Sequence, residues 1–181
     1  MAGLSKAIAF TAVALLATAT TALGQTEPAG WRNSETDGQV QAFVSAQMGE
    51  GASAATVYLG FFCGARPAVR LRGPVAGVRP GGKAEPVSIA FEAGDDLFVT
   101  SLDASFGAAG PERAELVAER GVIEAADVDT LRDLATFLRE ATGSEFSLRS
   151  AAPPLAFKLS LEGAKAALSR YLGACTALAR Q

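Results

Sequence analysis

The chain has no histidine among its 181 residues. Imidazole carries the proton in Ser-His-Asp and Cys-His catalysis, so both are excluded. A nucleophilic cysteine also needs a nearby base or cationic group to form its thiolate, and two cysteines without histidine do not make the usual zinc sets. No Walker loop, dinucleotide fingerprint or S-x-x-K pair occurs. Neither a catalytic residue nor a metal or cofactor is therefore expected. An excess of one charge is missing too. Sixteen basic against 19 acidic residues leave a formal net charge of −3, which gives no reason to expect nucleic acid or anionic lipid as a partner. Beyond the first residues there is no long apolar run, so no membrane anchor is expected.

What is present begins with "MAGLSKAIAFTAVALLATATTALGQ": one early positive charge at Lys6, an apolar stretch from Ala7 to Leu16, then small residues ending in "ALG". This is the three-part plan of a secretory signal peptide over residues 1–24, with cleavage after Gly24. Its apolar core is shorter than the roughly 20 residues that span a bilayer. No cysteine stands at the cleavage site to carry a lipid. Residues 25–181 then suit one exported α+β domain, in the periplasm or secreted. The Ala-, Gly- and Arg-rich composition points to a bacterium with GC-rich DNA.

Residues 25–38 read as a mobile lead-in apart from Trp31, whose large apolar surface is expected to pack on the body. The period is then two. "QVQAFVSAQM" alternates, "TVYLGFFC" puts Val57, Leu59, Phe61 and Cys63 on one side, and "AVRLR" sets Val69 and Leu71 against Arg70 and Arg72. "GPVAGVRPGGK", Gly73 to Lys83, reads as a loop with at most a brief edge strand. "PVSIAF" and "LFVTSL" alternate around a "GDD" turn, and within the ambiguous residues 103–124 "ERAELVAERG" fits either a short helix or one more strand, with strand favoured by the tight bracket of Gly110, Pro111 and Gly121.

The period changes at "DVDTLRDLATFLREATG", where Val128, Leu131, Leu134, Ala135 and Leu138 form a helical stripe with Asp127 as N-cap and Gly143 as stop. Phe137 lies off the stripe, free to touch another element. Two strands, "EFSLR" and "LAFKLS", precede a last helix from about Leu161 to Ala179. Its stripe is Ala164, Leu168, Tyr171, Leu172, Cys175 and Ala179. The expected fold is an antiparallel sheet, sandwich or open barrel, with two helices. Cys63 and Cys175 both point into the core, and in an oxidising compartment two such thiols are expected to bond and tie the last helix to a central strand.

The remaining chemistry is that of carboxylates and arginines. Glu92, Asp95, Asp96 and Asp103 lie close in sequence around one turn and could supply an acid and a base, although a solvated hairpin tip explains them more simply. Asp127, Asp129 and Asp133 imitate a calcium loop but lack its glycine and fit a helix start. Arg66, Arg70, Arg72, Arg79 and Lys83 could bind an anionic glycan or a partner, or form an ordinary polar sheet face.

"WRNSETD", "VYLGFFC" with the following "AVRL", and the closing "FKLSLEGAKAALSRYLGAC" resemble small periplasmic accessory proteins of the VasI/TagO type, associated with type VI secretion. That resemblance implies a role beside a secretion apparatus. The leading expectation is a non-enzymatic binding or accessory module of the cell envelope, whose partner is an envelope protein or cell-wall material. The alternatives are an inhibitor of a lysozyme or protease acting through the 73–83 loop and, last, a carboxylate-based cell-wall hydrolase.

Overall fold

Alternation over nine separate runs produces nine strands, and all of them join one antiparallel sheet in the order β1-β2-β3-β4-β7-β6-β5-β8-β9. The computed structural model describes residues 30–48, 54–81, 83–108 and 114–178. The signal-peptide reading of residues 1–24, its cleavage point and Ala179 lie outside the described residues. The strands are β1 (Arg32–Thr36), β2 (Gln39–Met48), β3 (Ala55–Cys63), β4 (Ala68–Val75), β5 (Glu85–Ala93), β6 (Asp96–Ala108), β7 (Ala114–Gly121), β8 (Glu145–Ala151) and β9 (Pro154–Ser160). Helix α1 (Ala125–Glu140) lies between β7 and β8, and α2 (Ala164–Leu178) follows β9. The sheet curls into a half-barrel rather than splitting into a sandwich.

The inner face carries the predicted phase: Val57, Leu59, Phe61 and Cys63 of β3, Val69 and Leu71 of β4, Ile89 and Phe91 of β5, Leu155, Phe157 and Leu159 of β9 are all buried. Phe157 reaches across the barrel to β4, where a methyl group on Gly73 would stand 2.8 Å from its Cζ. Helix α2 closes the interior, placing Tyr171 against Phe61 with ring centroids 5.4 Å apart. A disulfide joins Cys63 to Cys175 across 112 positions of sequence and ties α2 to the sheet. Cys63 is fully buried and Cys175 half-buried. Phe137 does touch another element, its ring lying 5.7 Å from that of Phe98 on β6.

Residues 32–36 are not a mobile lead-in. They form β1, which pairs with β2 from Arg32↔Phe43 to Thr36↔Gln39. The segment "RNSET" has no apolar alternation because it is an edge strand, held instead by main-chain bonds and by Asn33, whose Nδ2 donates to the carbonyls of Gln41 and Ala167. Trp31, 6% exposed, closes the seam between the two ends of the sheet. Its Nε1 donates to the Ser160 carbonyl at 2.9 Å and its main-chain N–H to that of Glu162 at 2.8 Å. Gly163 sits under this contact at φ 75°, with the Trp31 carbonyl 3.0 Å from where a Cβ would be.

The loop expected to begin at Gly73 begins later, because 73–75 continue β4 against Leu116, Glu115 and Ala114 of β7. Its far side is tied by the Gly81 N–H to the Phe106 carbonyl, at 2.8 Å. The N-cap of α1 is Glu124 rather than Asp127, which is its N3 residue in a reciprocal capping box. The chain leaves α1 at Ala141, two residues before Gly143. Val128 of the expected stripe remains 39% exposed, while Leu131, Leu134, Ala135 and Leu138 are buried.

Candidate functional site

The carboxylates around the β5–β6 turn do not converge. Asp103 stands seven residues along β6 from Asp96, roughly 23 Å at the strand rise, and pairs with Pro86 and Glu119. Glu92 is taken by Arg149 at 3.2 Å. The suggested calcium acids also separate. Asp127 accepts from Arg120 and from the main-chain N–H groups of Ile123 and Glu124, while Asp129 and Asp133 lie against Arg132. The Glu124 and Ile123 amides, followed by Arg120, hold the Asp127 carboxyl down at about 2. Among the described residues no group of three or more Cys, Asp or Glu is placed to hold a metal ion.

The arginine group splits as well. Arg66 lies in the turn before β4, whereas Arg79 and Lys83 lie beyond its other end. Arg70 and Arg72, two apart on one strand, share the outer face and become part of a larger arrangement. Across the sheet the register runs Arg32↔Phe43, Phe43↔Gly60, Gly60↔Arg70 and Arg70↔Glu119, a single row over five strands. In the flanking rows Tyr58 stands beside Arg72, and Gln41 opposite Phe62.

Gly60 makes a gap in the central row, and the Tyr58 side chain lies in it. A methyl group on Gly60 would come within 2.6 Å of the ring's Cζ. The phenol accepts a hydrogen bond from Gln41 Nε2. Its ring stacks against Phe43 with centroids 5.9 Å apart, and the Arg32 guanidinium lies 5.2 Å from the Phe43 ring centre. On the other side Arg70 lies 5.2 Å from the Phe62 ring centre. Burial pushes the Tyr58 phenol up, against the opposing effects of the Gln41 bond and the Arg70 and Arg72 charges.

Gln41, Thr56, Tyr58, Phe62, Arg70, Arg72 and Glu115 line an open trough of about 520 Å³. Arg70 is paired to Glu119 at 2.7 Å and Arg72 to Glu115 at 2.9 Å. The trough is thus balanced in charge, and its guanidiniums are held in place. It can stack a flat apolar surface on aromatic rings and offer amide, hydroxyl, guanidinium and carboxylate groups around it. Sequence reading found the two arginines but passed over Phe43, Tyr58, Gly60 and Phe62. The available signal was aromatics at outward phase on either side of a mid-strand glycine, where alternation predicts polar residues. Searches against family models, curated proteins and solved structures return no match to this chain.

Proposed function

We propose that the protein is an exported, non-catalytic binding module of the bacterial envelope that holds cell-wall glycan on the outer face of β2, β3 and β4. The observation that supports this most is the Tyr58 ring seated over Gly60, between Phe62, Arg70 and Arg72. A pyranose presents an apolar C–H face of ring size, which suits the negative face of an aromatic ring. Its hydroxyl and acetamido groups suit the surrounding donors and acceptors. The balanced Arg–Glu pairs favour such a neutral, polar ligand over a polyanion. The N-terminal signal pattern supports the location in periplasm or outside the cell. A place beside a type VI secretion apparatus is a finer form of the same reading, supported by the resemblance of sequence alone.

The test is co-sedimentation of the mature chain with purified, insoluble peptidoglycan. Wild-type protein is expected in the pellet, and Tyr58→Ala or Phe62→Ala should reduce the bound fraction at least fivefold while leaving the circular dichroism spectrum unchanged. Equal binding by the variants, or none by the wild type, overturns the reading. Assaying the same incubation for soluble fragments would reveal a hydrolase, and protection from added lysozyme an inhibitor.

A further inference from the structure

Where β3 turns into β4, a cavity of about 430 Å³ opens between that turn and the two helices. One wall is the turn itself, Gly64 to Pro67, joined to the chain leaving β7 by the Val122 N–H, which donates to the Pro67 carbonyl at 3.0 Å. The others are the first turns of α1, through Val128, Leu131 and Arg132, and the last turns of α2, through Tyr171, Leu172 and Cys175. Because the disulfide bonds Cys175 to the last residue of β3, the α2 wall is fixed to the turn wall without help from a ligand. The volume falls within the roughly 300 to 1,000 Å³ usual for small-molecule sites.

One polar group in this lining is left over. Tyr171 is only 2% exposed and its ring packs on Phe61, yet its hydroxyl makes no hydrogen bond among the described residues. Burial alone pushes its pKa up to about 12, so the phenol stays protonated and can donate. A buried hydroxyl without a partner is destabilising, and the cavity that Tyr171 lines is the open space from which a partner can reach it. The other polar groups are already engaged. The Thr176 hydroxyl donates to the Leu172 carbonyl at 2.8 Å. Arg132, the one charged residue of the lining, is held by Asp129 at 2.7 Å and by Asp133 at 3.8 Å.

We propose that this cavity binds an uncharged, mostly apolar small molecule carrying one carbonyl oxygen, which accepts a hydrogen bond from the Tyr171 hydroxyl. Pro67, Val122, Val128, Leu131 and Leu172 give such a molecule an apolar bed, and the phenol fixes its one polar atom. Other occupants fit less well. A water needs two to four polar partners, and the side chains here leave it one. A peptide segment brings an N–H and a C=O with every residue, most of which would go unpaired against these walls. An anion would meet two acids around the single guanidinium of Arg132. This site is separate from the trough on β2–β4 and does not depend on what the trough binds.

The test is an NMR titration of the mature chain, read at the methyl groups of Val128, Leu131 and Leu172, with three probes of one shape. Benzophenone is an uncharged ketone, diphenylmethane lacks its carbonyl, and 4-benzoylbenzoate adds a negative charge. Benzophenone should shift these methyls saturably, and both diphenylmethane and 4-benzoylbenzoate should bind at least threefold more weakly, as the loss of one hydrogen bond and an unmatched charge require. Tyr171→Phe removes only the unbonded hydroxyl. It should weaken benzophenone to the level of diphenylmethane and leave diphenylmethane unchanged. Should that variant fail to fold by circular dichroism, the three-probe series on wild type decides alone. No saturable shift at these methyls, diphenylmethane or 4-benzoylbenzoate binding as tightly as benzophenone, or a folded Tyr171→Phe that binds benzophenone as wild type does, overturns the proposal.

Discussion

A glycine inside a strand forgoes side-chain packing and costs backbone entropy, so Gly60 needs a compensating role. It has one in the Tyr58 ring, which occupies the space a side chain would take. Gly60→Ala should drive that ring off the sheet. The phenol would then lose the burial that raises its pKa and titrate closer to 10, the ordinary value. Absorbance titration of tyrosinate measures this. The other tyrosine, Tyr171, is pushed up to about 12 by burial and should stay there, so it serves as an internal reference. Glycan binding should fall with the ring's displacement, while stability changes by about 1 kcal/mol, since a lost contact and a gain in strand propensity oppose each other. An unmoved Tyr58 titration would mean that the ring does not rest on Gly60.

Elements were legible where burial imposes a period, and less so where main-chain pairing or local charge decides. The phases of β3, β4, β5 and β9 could be read because one face of each is buried, and a single-residue slip would turn every apolar side chain to solvent. Strand β1 could not be read, because its polar residues are held by β2, Asn33 and the Trp31 seam rather than by a buried stripe. The start of α1 was misplaced by three residues for a related reason. Asp127 caps backward from N3, so an acid near a helix start does not by itself identify the cap. The outer trough was illegible as a site, because cross-strand register assembles it from residues far apart in sequence. The cap carries its own pH dependence. Asp127 is held at about 2 in the folded chain against an ordinary 3.8, so its contribution is complete above about pH 4 and disappears as pH falls toward 2. Acid titration of stability should show a decline across that window that is shallower in Asp127→Asn, which no longer titrates. Parallel curves for the two proteins would remove Asp127 from the acid response.

At the scale of the whole molecule, α2 is held to the sheet at both ends. Near its start Trp31 joins the lead into β1 to the Ser160 and Glu162 carbonyls, and near its end the disulfide joins Cys175 to the last residue of β3. Cross-linking a loop of this length restricts the unfolded chain, and losing a native disulfide from a small domain typically costs roughly 2 to 5 kcal/mol. Cys63→Ser, Cys175→Ser and the double variant should lose about the same amount, because one bond disappears in each. The same variants test whether the half-barrel is one cooperative body. Trp31 is the only tryptophan, so its fluorescence reports the seam, while far-UV circular dichroism reports every strand and helix. The inner faces of all the strands from β2 to β9 share one buried cluster with Trp31 and Tyr171, so opening the seam exposes the core that the disulfide also secures. A single cluster of this kind predicts a two-state transition. Fluorescence and circular dichroism should therefore give the same urea midpoint in the wild type, and both midpoints should fall together in Cys63→Ser. If removing the disulfide lowers the circular dichroism midpoint but leaves Trp31 fluorescence where it was, the seam and the cross-linked end unfold separately, and α2 does not couple them.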